Sequence, residues 1–387
     1  MNIYPDENIL TIDEIIISTT LTARSTTSTT DTTDTTSSTL TPTDTSTTST
    51  TDTSTDTSTT STTSTDTSTT STTSTTATTA TTDTTATTDP IPSTDPIPST
   101  DPIPSTDPIP VYYDTLVLSG SSTKGLITLG ALQYAYDNFI IKNVNIYVGT
   151  SSGAMICYLL AIGYTPVEIM VYICKNQLIE KMQNFNIVGM IQGRGASSFN
   201  VIQEQLEKMT IAKIGYLPTL NDIKEKCNKT LICVTHNLTE NKTEYLSYEN
   251  YPHLPCIIAL RMSSNLPLIF ENYKYGNSLY VDGVISDNFA IDIGEKYGKK
   301  VLGIILTSKI DNFNTENENT NTLEFIYKLM SVPINQYLSH KIKNISEKCK
   351  VVNIEHNSKI SFFQFDITSS VKMDMFSSGY ELMKQKF

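Results

Sequence analysis

Five residues, Gly149-Thr150-Ser151-Ser152-Gly153, fit the pattern G-x-S-x-G. In that pattern a serine rides on a sharp strand-to-helix turn and its hydroxyl is presented as a nucleophile. Small residues at 149 and 153 keep the turn free of clashes, and a following helix sets its positive dipole end where negative charge develops. The pattern also arises by chance in Ser- and Gly-rich sequence, so its flanks decide its meaning. A second segment, Ser119-Gly120-Ser121-Ser122-Thr123-Lys124-Gly125, is a Gly/Ser loop whose backbone N–H groups can face an anion. An acyl hydrolase uses such donors as an oxyanion hole. An ordinary strand-to-helix turn has the same composition. A nucleotide phosphate loop is not matched, because Gly125 rather than Ser or Thr follows Lys124. The third segment is Asp282-Gly283 in YVDGVISDNFA: an acid at a strand end, suited to a base, or simply a turn aspartate.

The flanks support the chemical reading. Residues 115–118 (TLVL) and 145–148 (NIYV) are short apolar runs that predict buried strands, each ending at one of the first two motifs. Residues 124–138 carry apolar side chains at helical spacing, and 152–162 (SGAMICYLLAI) are almost wholly apolar, a helix that must be buried all round. Further strands are expected at 230–235, 279–281 and 301–306, and helices at 167–179, 200–209, 256–262 and 322–342. Continuous apolar strands alternating with helices imply a mostly parallel central sheet covered by helices on both faces. Ligand sites in such sheets lie at the carboxyl ends of the strands.

Not all of the 387 residues can build this core. Residues 18–110 are almost entirely Thr, Ser, Asp, Pro and Ala, without one aromatic residue. Such a tract cannot bury enough apolar surface to offset its chain entropy, and disorder is expected. Its last part repeats DPIPST from Asp89, Asp95 and Asp101 and starts a fourth unit, DPIP, at Asp107, which favours an extended spacer, or a stalk open to modification of its hydroxyls. Three regions follow: a short N-terminal segment at 1–17, the Thr/Ser/Asp-rich tract at 18–110, and one folded domain at 111–387. The tract holds eleven Asp and one Arg, a balance of −10, so the net −13 leaves only −3 for everything else. That balance argues against nucleic acid as a partner. The six cysteines form no CxxC pair and no His stands at zinc-ligand spacing from them, which suits reduced, buried thiols. No metal or cofactor is implied. No basic, apolar signal-peptide pattern opens the chain, and no run reaches the roughly 18 apolar residues of a membrane span. A cytoplasmic or host-cell cytoplasmic location is therefore expected, with any membrane contact peripheral.

Taken together, LSGSSTKG (Leu118–Gly125), GTSSGA (Gly149–Ala154) and DGV (Asp282–Val284) resemble the glycine-rich loop, elbow and dyad motif of the patatin-like phospholipase family. Supporting matches are ALRMSSNLPLIF (Ala259–Phe270), which retains the family's Ser263, Pro267 and Phe270, a strand-and-hairpin stretch at Asn221–Ser247, and a C-terminal helix region at Phe365–Glu381. The resemblance implies a three-layer patatin-like sandwich and hydrolysis of carboxylic esters in lipids or phospholipids. It casts Ser151 as nucleophile and Asp282 as a base acting without histidine. The backbone around Ser121 and Ser122 would hold the oxyanion, and Lys124 stands at the family's basic loop position. Two departures stand out. Ser121 and Ser122 replace loop glycines, which reach positive φ more freely, and Val284 replaces a Gly or Ala beside the dyad. Two other readings stay open: a Ser-Asp-His hydrolase using His340, on a polar helical stretch, or His356, in a polar loop, each read as a solvated surface residue, and a non-catalytic lipid-surface or interaction module. His236, where the family has Asp, is read as structural. The sequence is silent on oligomeric state.

Overall fold

In the computed structural model, the described residues are 112–182, 186–192, 195–308, 322–356 and 367–387. The expectations for 1–17 and 18–110 lie outside them. Eight strands form one sheet: β1 (Thr115–Leu118), β2 (Ile146–Thr150), β3 (Thr230–Asn237), β4 (Lys242–Leu246), β5 (Tyr273–Tyr275), β6 (Ser278–Asp282), β7 (Val301–Ser308) and β8 (Cys349–His356). The order is β5-β6-β3-β2-β1-β7-β8, with β4 also paired to β3. The pairs β3-β2, β2-β1, β1-β7 and β7-β8 are parallel, and β6, β5 and β4 join antiparallel. The helices are α1 (Gly125–Asp137), α2 (Ser152–Ala161), α3 (Pro166–Lys175), α4 (Ile187–Ile191), α5 (Asn200–Ile214), α6 (Leu220–Cys227), α7 (Cys256–Ser263), α8 (Ile291–Tyr297), α9 (Thr322–Lys343) and α10 (Ser369–Lys384). This is the mixed α/β sandwich that the strand and helix pattern implied.

Alternation along the central strands divides the core in two. Leu116, Leu118, Leu231, Cys233, Leu302 and Ile304 turn to the larger cluster, with residues of α1, α2, α3 and α10. Val117, Val148, Ile232, Val234, Val301 and Ile305 turn to a smaller one, closed by Phe289, Ile291 and Leu338. Both faces of the strands are apolar, so both must be covered. Helix α3 starts where a capping box fixes it: Thr165 accepts the Glu168 N–H and the Glu168 carboxylate accepts the Thr165 N–H. On the larger face α1 and α10 cross at glycines. A Cβ on Gly130 would collide with the Phe376 carbonyl, and one on Gly379 with the Ile127 carbonyl. Lys372 of α10 is fully buried and holds both oxygens of Glu180 at 2.6 and 2.7 Å.

Two strands were not foreseen. β5 has only three residues. β8 pairs along its whole length with β7, and this corrects the reading of His356: it ends a strand and is half-buried, whereas the polar residues around it suggested a solvated loop.

Candidate active site

Ser151 stands between β2 and α2 at φ 56° and ψ −125°, a region costly for a residue with a Cβ and held only where its surroundings demand it. They do so by crowding. A Cβ on Gly149 would lie 2.5 Å from the Ala154 backbone, and one on Gly153 2.6 Å from the Ser119 carbonyl, so the elbow closes only with glycine at both places. The Ser151 N–H donates to the hydroxyl of buried Ser263 (3.0 Å), and its carbonyl accepts the N–H groups of Ala154 and Met155. Thr150, one residue before, donates its hydroxyl to the Asp287 carbonyl.

Asp282 reaches this point through strand register. Thr150 of β2 lies opposite Val234 of β3, and the next residue of β3, Thr235, lies opposite Asp282 of β6. Positions 151 and 282 therefore come to the same level of the sheet, one on each side of β3. The Ser151 hydroxyl donates to Asp282 Oδ2 at 2.6 Å, and the Val284 N–H donates to Oδ1 at 2.9 Å. The Asp282 N–H donates to the Asn265 carbonyl. Val284 thus orients the carboxylate through its backbone, while its side chain packs on the larger core cluster. Gly283 has no room for a side chain beside the Val234 carbonyl. Asp282 is 2% exposed. Burial disfavours its charged form and pushes its pKa up to about 7, against the lowering effect of the Ser151 hydroxyl and the Val284 N–H.

The Gly/Ser loop packs against the elbow. The Ser121 N–H donates to Ser152 Oγ at 3.0 Å, the Ser121 and Ser152 hydroxyls lie 3.3 Å apart, and the Gly120 N–H donates to Asn288 Oδ1 at 3.0 Å. A Cβ on Gly120 would sit 3.0 Å from the Ser151 Cβ. Ser122, Thr123 and Lys124 form a short 3-10 turn that delivers Gly125 to the start of α1. Of the two serines that replace glycine, Ser121 has φ −151° and Ser122 has φ 50°; only the second sits where glycine is at an advantage. Ser122→Gly is expected to leave the denaturant midpoint nearly unchanged, because strain relief and added chain entropy offset each other. Ser122→Val, a branched residue forced to positive φ, is expected to cost on the order of 1–2 kcal/mol. Equal midpoints for the two variants would show that the turn carries no strain.

Ser263, Asn265 and Asn288, which hold the elbow, the Asp282 strand and the loop, come from segments remote in sequence. Ser263 was visible as part of a matched stretch. Asn265 lay in the same stretch and Asn288 in YVDGVISDNFA, but neither had a signal of its own. Arg261 anchors that stretch: it is buried, sits over the Phe199 and Tyr273 rings, and bonds Glu271 at 2.5 Å. No histidine is among the hydrogen-bond partners of Ser151 or Asp282. His340 lies exposed on α9 beside Asn344. His356, with Lys124 nearby, has its pKa lowered by burial and by that charge. His236 is buried on β3. Burial, and with it the charge of nearby Asp282, raises the phenol pKa of Tyr327 on α9. Among the described residues no group of His, Cys, Asp and Glu is placed to hold a metal, and no single helix is long and apolar enough to cross a membrane.

Fold and site together define a three-layer α/β protein with a serine–carboxylate pair at the carboxyl ends of its parallel strands. Residues 116–294, which include all three motifs, match the family model for patatin-like phospholipase. The chain is 36% identical over 195 residues to a protein of Invertebrate iridescent virus 6 named probable lipid hydrolase 463L, covering 49% of this chain and 66% of that one. It is 28% identical over 278 residues to an uncharacterized protein of Acanthamoeba polyphaga mimivirus, covering 70% and 92%. Among solved structures, VipD from Legionella pneumophila aligns at 16% identity with a TM-score of 0.42, over 70% of this chain and 66% of that one. The chain thus spans just under two thirds of the iridescent-virus protein and of VipD.

Proposed function

We propose that this domain hydrolyses carboxylic esters of lipids or phospholipids, with Ser151 as nucleophile and Asp282 as general base. The 2.6 Å bond from a strained serine hydroxyl to a buried carboxylate carries the reading. The match of residues 116–294 to the patatin-like phospholipase model, and a viral relative named a probable lipid hydrolase, support the substrate class. In acylation the Ser151 oxygen attacks the ester carbonyl while its proton passes to Asp282. The loop at Gly120, Ser121, Ser122, Thr123, Lys124 and Gly125 and the start of α2 at Ser152 supply backbone donors to the oxyanion. The alcohol leaves with the proton. In deacylation Asp282 takes a proton from water, which attacks the acyl-enzyme; the acyl–oxygen bond breaks, the proton passes from Asp282 to the Ser151 oxygen, and the fatty acid leaves. The Ser121 N–H, held by Ser152 in the resting site, is released when the oxyanion outcompetes a neutral hydroxyl as acceptor.

A base must be ionised to work. With the Asp282 pKa raised to about 7, kcat/KM is expected to rise with pH through about 7 and level off above it. A rate flat from pH 5 to 8 would remove Asp282 from the role of base. Labelling with a fluorophosphonate tests the nucleophile. The wild-type protein and a His340→Ala/His356→Ala double variant should both be labelled and Ser151→Ala should not. Label on Ser151→Ala, or none on the wild type, contradicts the reading.

A further inference from the structure

One short segment carries the base and touches the two other parts of the site. Residues 282–289 begin with Asp282, pass through a 3-10 turn at Gly283–Ile285 and end in the smaller core cluster at Phe289. After the turn the Asp287 N–H donates to the Gly283 carbonyl at 2.8 Å. The Asp287 carbonyl accepts the Thr150 hydroxyl at 3.1 Å, one residue before the elbow serine. Its neighbour Asn288 accepts the Gly120 N–H of the Gly/Ser loop at 3.0 Å. The spacing of base, nucleophile and loop therefore depends on where this corner lies.

An ion pair anchors the corner. Asp287 is 2% exposed, and its Oδ2 accepts Lys341 Nζ of α9 at 2.8 Å and the Tyr245 hydroxyl of β4 at 3.0 Å. Its Oδ1 accepts the Phe289 N–H at 3.3 Å. Both oxygens are held, so the plane of the carboxylate is fixed. Lys341, itself 8% exposed, also reaches the exposed Asp292 at 2.6 Å. Two charges buried together return little net stability, because desolvation offsets their attraction. What they supply is direction. A shift of residue 287 would move the elbow through Thr150 and the loop through Asn288.

We infer that the Asp287–Lys341 pair is a positioning device, which acts through the backbone to set Ser151, Asp282 and the oxyanion loop in register. Its effect on rate presupposes the ester-hydrolase reading above; its hold on the loop does not.

The test uses the full chain. Lys341→Met removes the ammonium group, and Asp287→Asn/Lys341→Met removes both charges, so that neither is left buried alone. Intact sites are counted by fluorophosphonate titration, and hydrolysis of p-nitrophenyl butyrate is followed per titrated site. Lys341→Met should lower kcat per site by about 10–100-fold and change KM by less than about threefold, since misplaced groups slow the chemical step. The double variant should regain the denaturant midpoint lost by the single one and keep the lowered kcat. In both variants backbone hydrogen exchange should quicken at Leu118–Gly125 and stay unchanged in β7. A pair that only stabilised the fold would reduce the number of titrated sites and leave the rate of each at the wild-type value. That result overturns the inference, as does a double variant whose kcat returns with its midpoint. If the wild type neither hydrolyses nor labels, the catalytic reading fails. Faster exchange at Leu118–Gly125 in the variants then upholds the pair's hold on the loop, and unchanged exchange removes it.

Discussion

Asp282→Asn is expected to lower ester hydrolysis by about 10⁴-fold or more and at the same time to make the protein harder to unfold at pH 8. The first effect follows from the 2.6 Å bond to Ser151: asparagine can still accept that bond but cannot take the proton. Ser151→Ala should fall to the same floor, and the double variant no further, because the two residues act as one unit. The second effect follows from burial. The Asp282 carboxyl titrates near 7 in the folded protein against an ordinary 3.8. Between those values the folded state holds a proton that the unfolded state has released. Wild-type stability therefore falls as pH rises through that window, and above it the folded state keeps an ionised carboxylate in a dry site. Asparagine removes this cost but leaves one of the two donors, Ser151 or the Val284 N–H, poorly satisfied. A net gain on the order of 1–3 kcal/mol at pH 8, gone by pH 4, is expected. Urea titrations at the two pH values check it. Stability curves that run parallel for wild type and variant would mean that the carboxylate is not held at a cost.

The second large effect lies far from the dyad. Gly130→Ala or Gly379→Ala is expected to cost about 3 kcal/mol or more, because in each case the new methyl group meets a backbone carbonyl of the other helix and no side chain can give way. α10 then lifts from α1 and strains the buried Lys372–Glu180 pair, leaving charges short of partners. The two substitutions should be less than additive, since once one has parted the helices the other meets less resistance. Hydrolysis should fall as well, because α1 begins at Gly125, the last residue of the loop beside Ser151. Denaturant midpoints of the single and double variants, with limited proteolysis of the α10 segment, measure the effect. Wild-type midpoints for both single variants would show that the helices do not cross as described.

Features encoded by neighbouring residues were the legible ones. Gly149, Ser151 and Gly153 lie within five positions, between an apolar strand and an apolar helix, and the constraint on them is steric and local. The strand at 301–306 and the helix at 322–342 were readable from continuous apolarity or periodicity. Apolar residues occur all round α9, so period alone did not show that Phe325, Leu329 and Val332 would face outward. β8 was missed because its polar Lys350, Asn353, Glu355 and His356 break the apolar run. What makes it a strand is a partner, β7, supplied from elsewhere.

By itself the sequence determined the α/β alternation, the elbow at Ser151, the loop after β1 and Asp282 as the acid to watch, because composition and short-range packing restrict the backbone within a few residues. The tertiary structure alone decided that Ser151 and Asp282 share a hydrogen bond across β3, that Asn265 and Asn288 hold the segments around them, and that Val284 steadies the carboxylate rather than crowding it. Those facts depend on ladder register and on contacts between segments up to 168 positions apart. A contact at that separation is fixed by how the whole core packs, and nothing in the residues next to it in the chain records where it will fall.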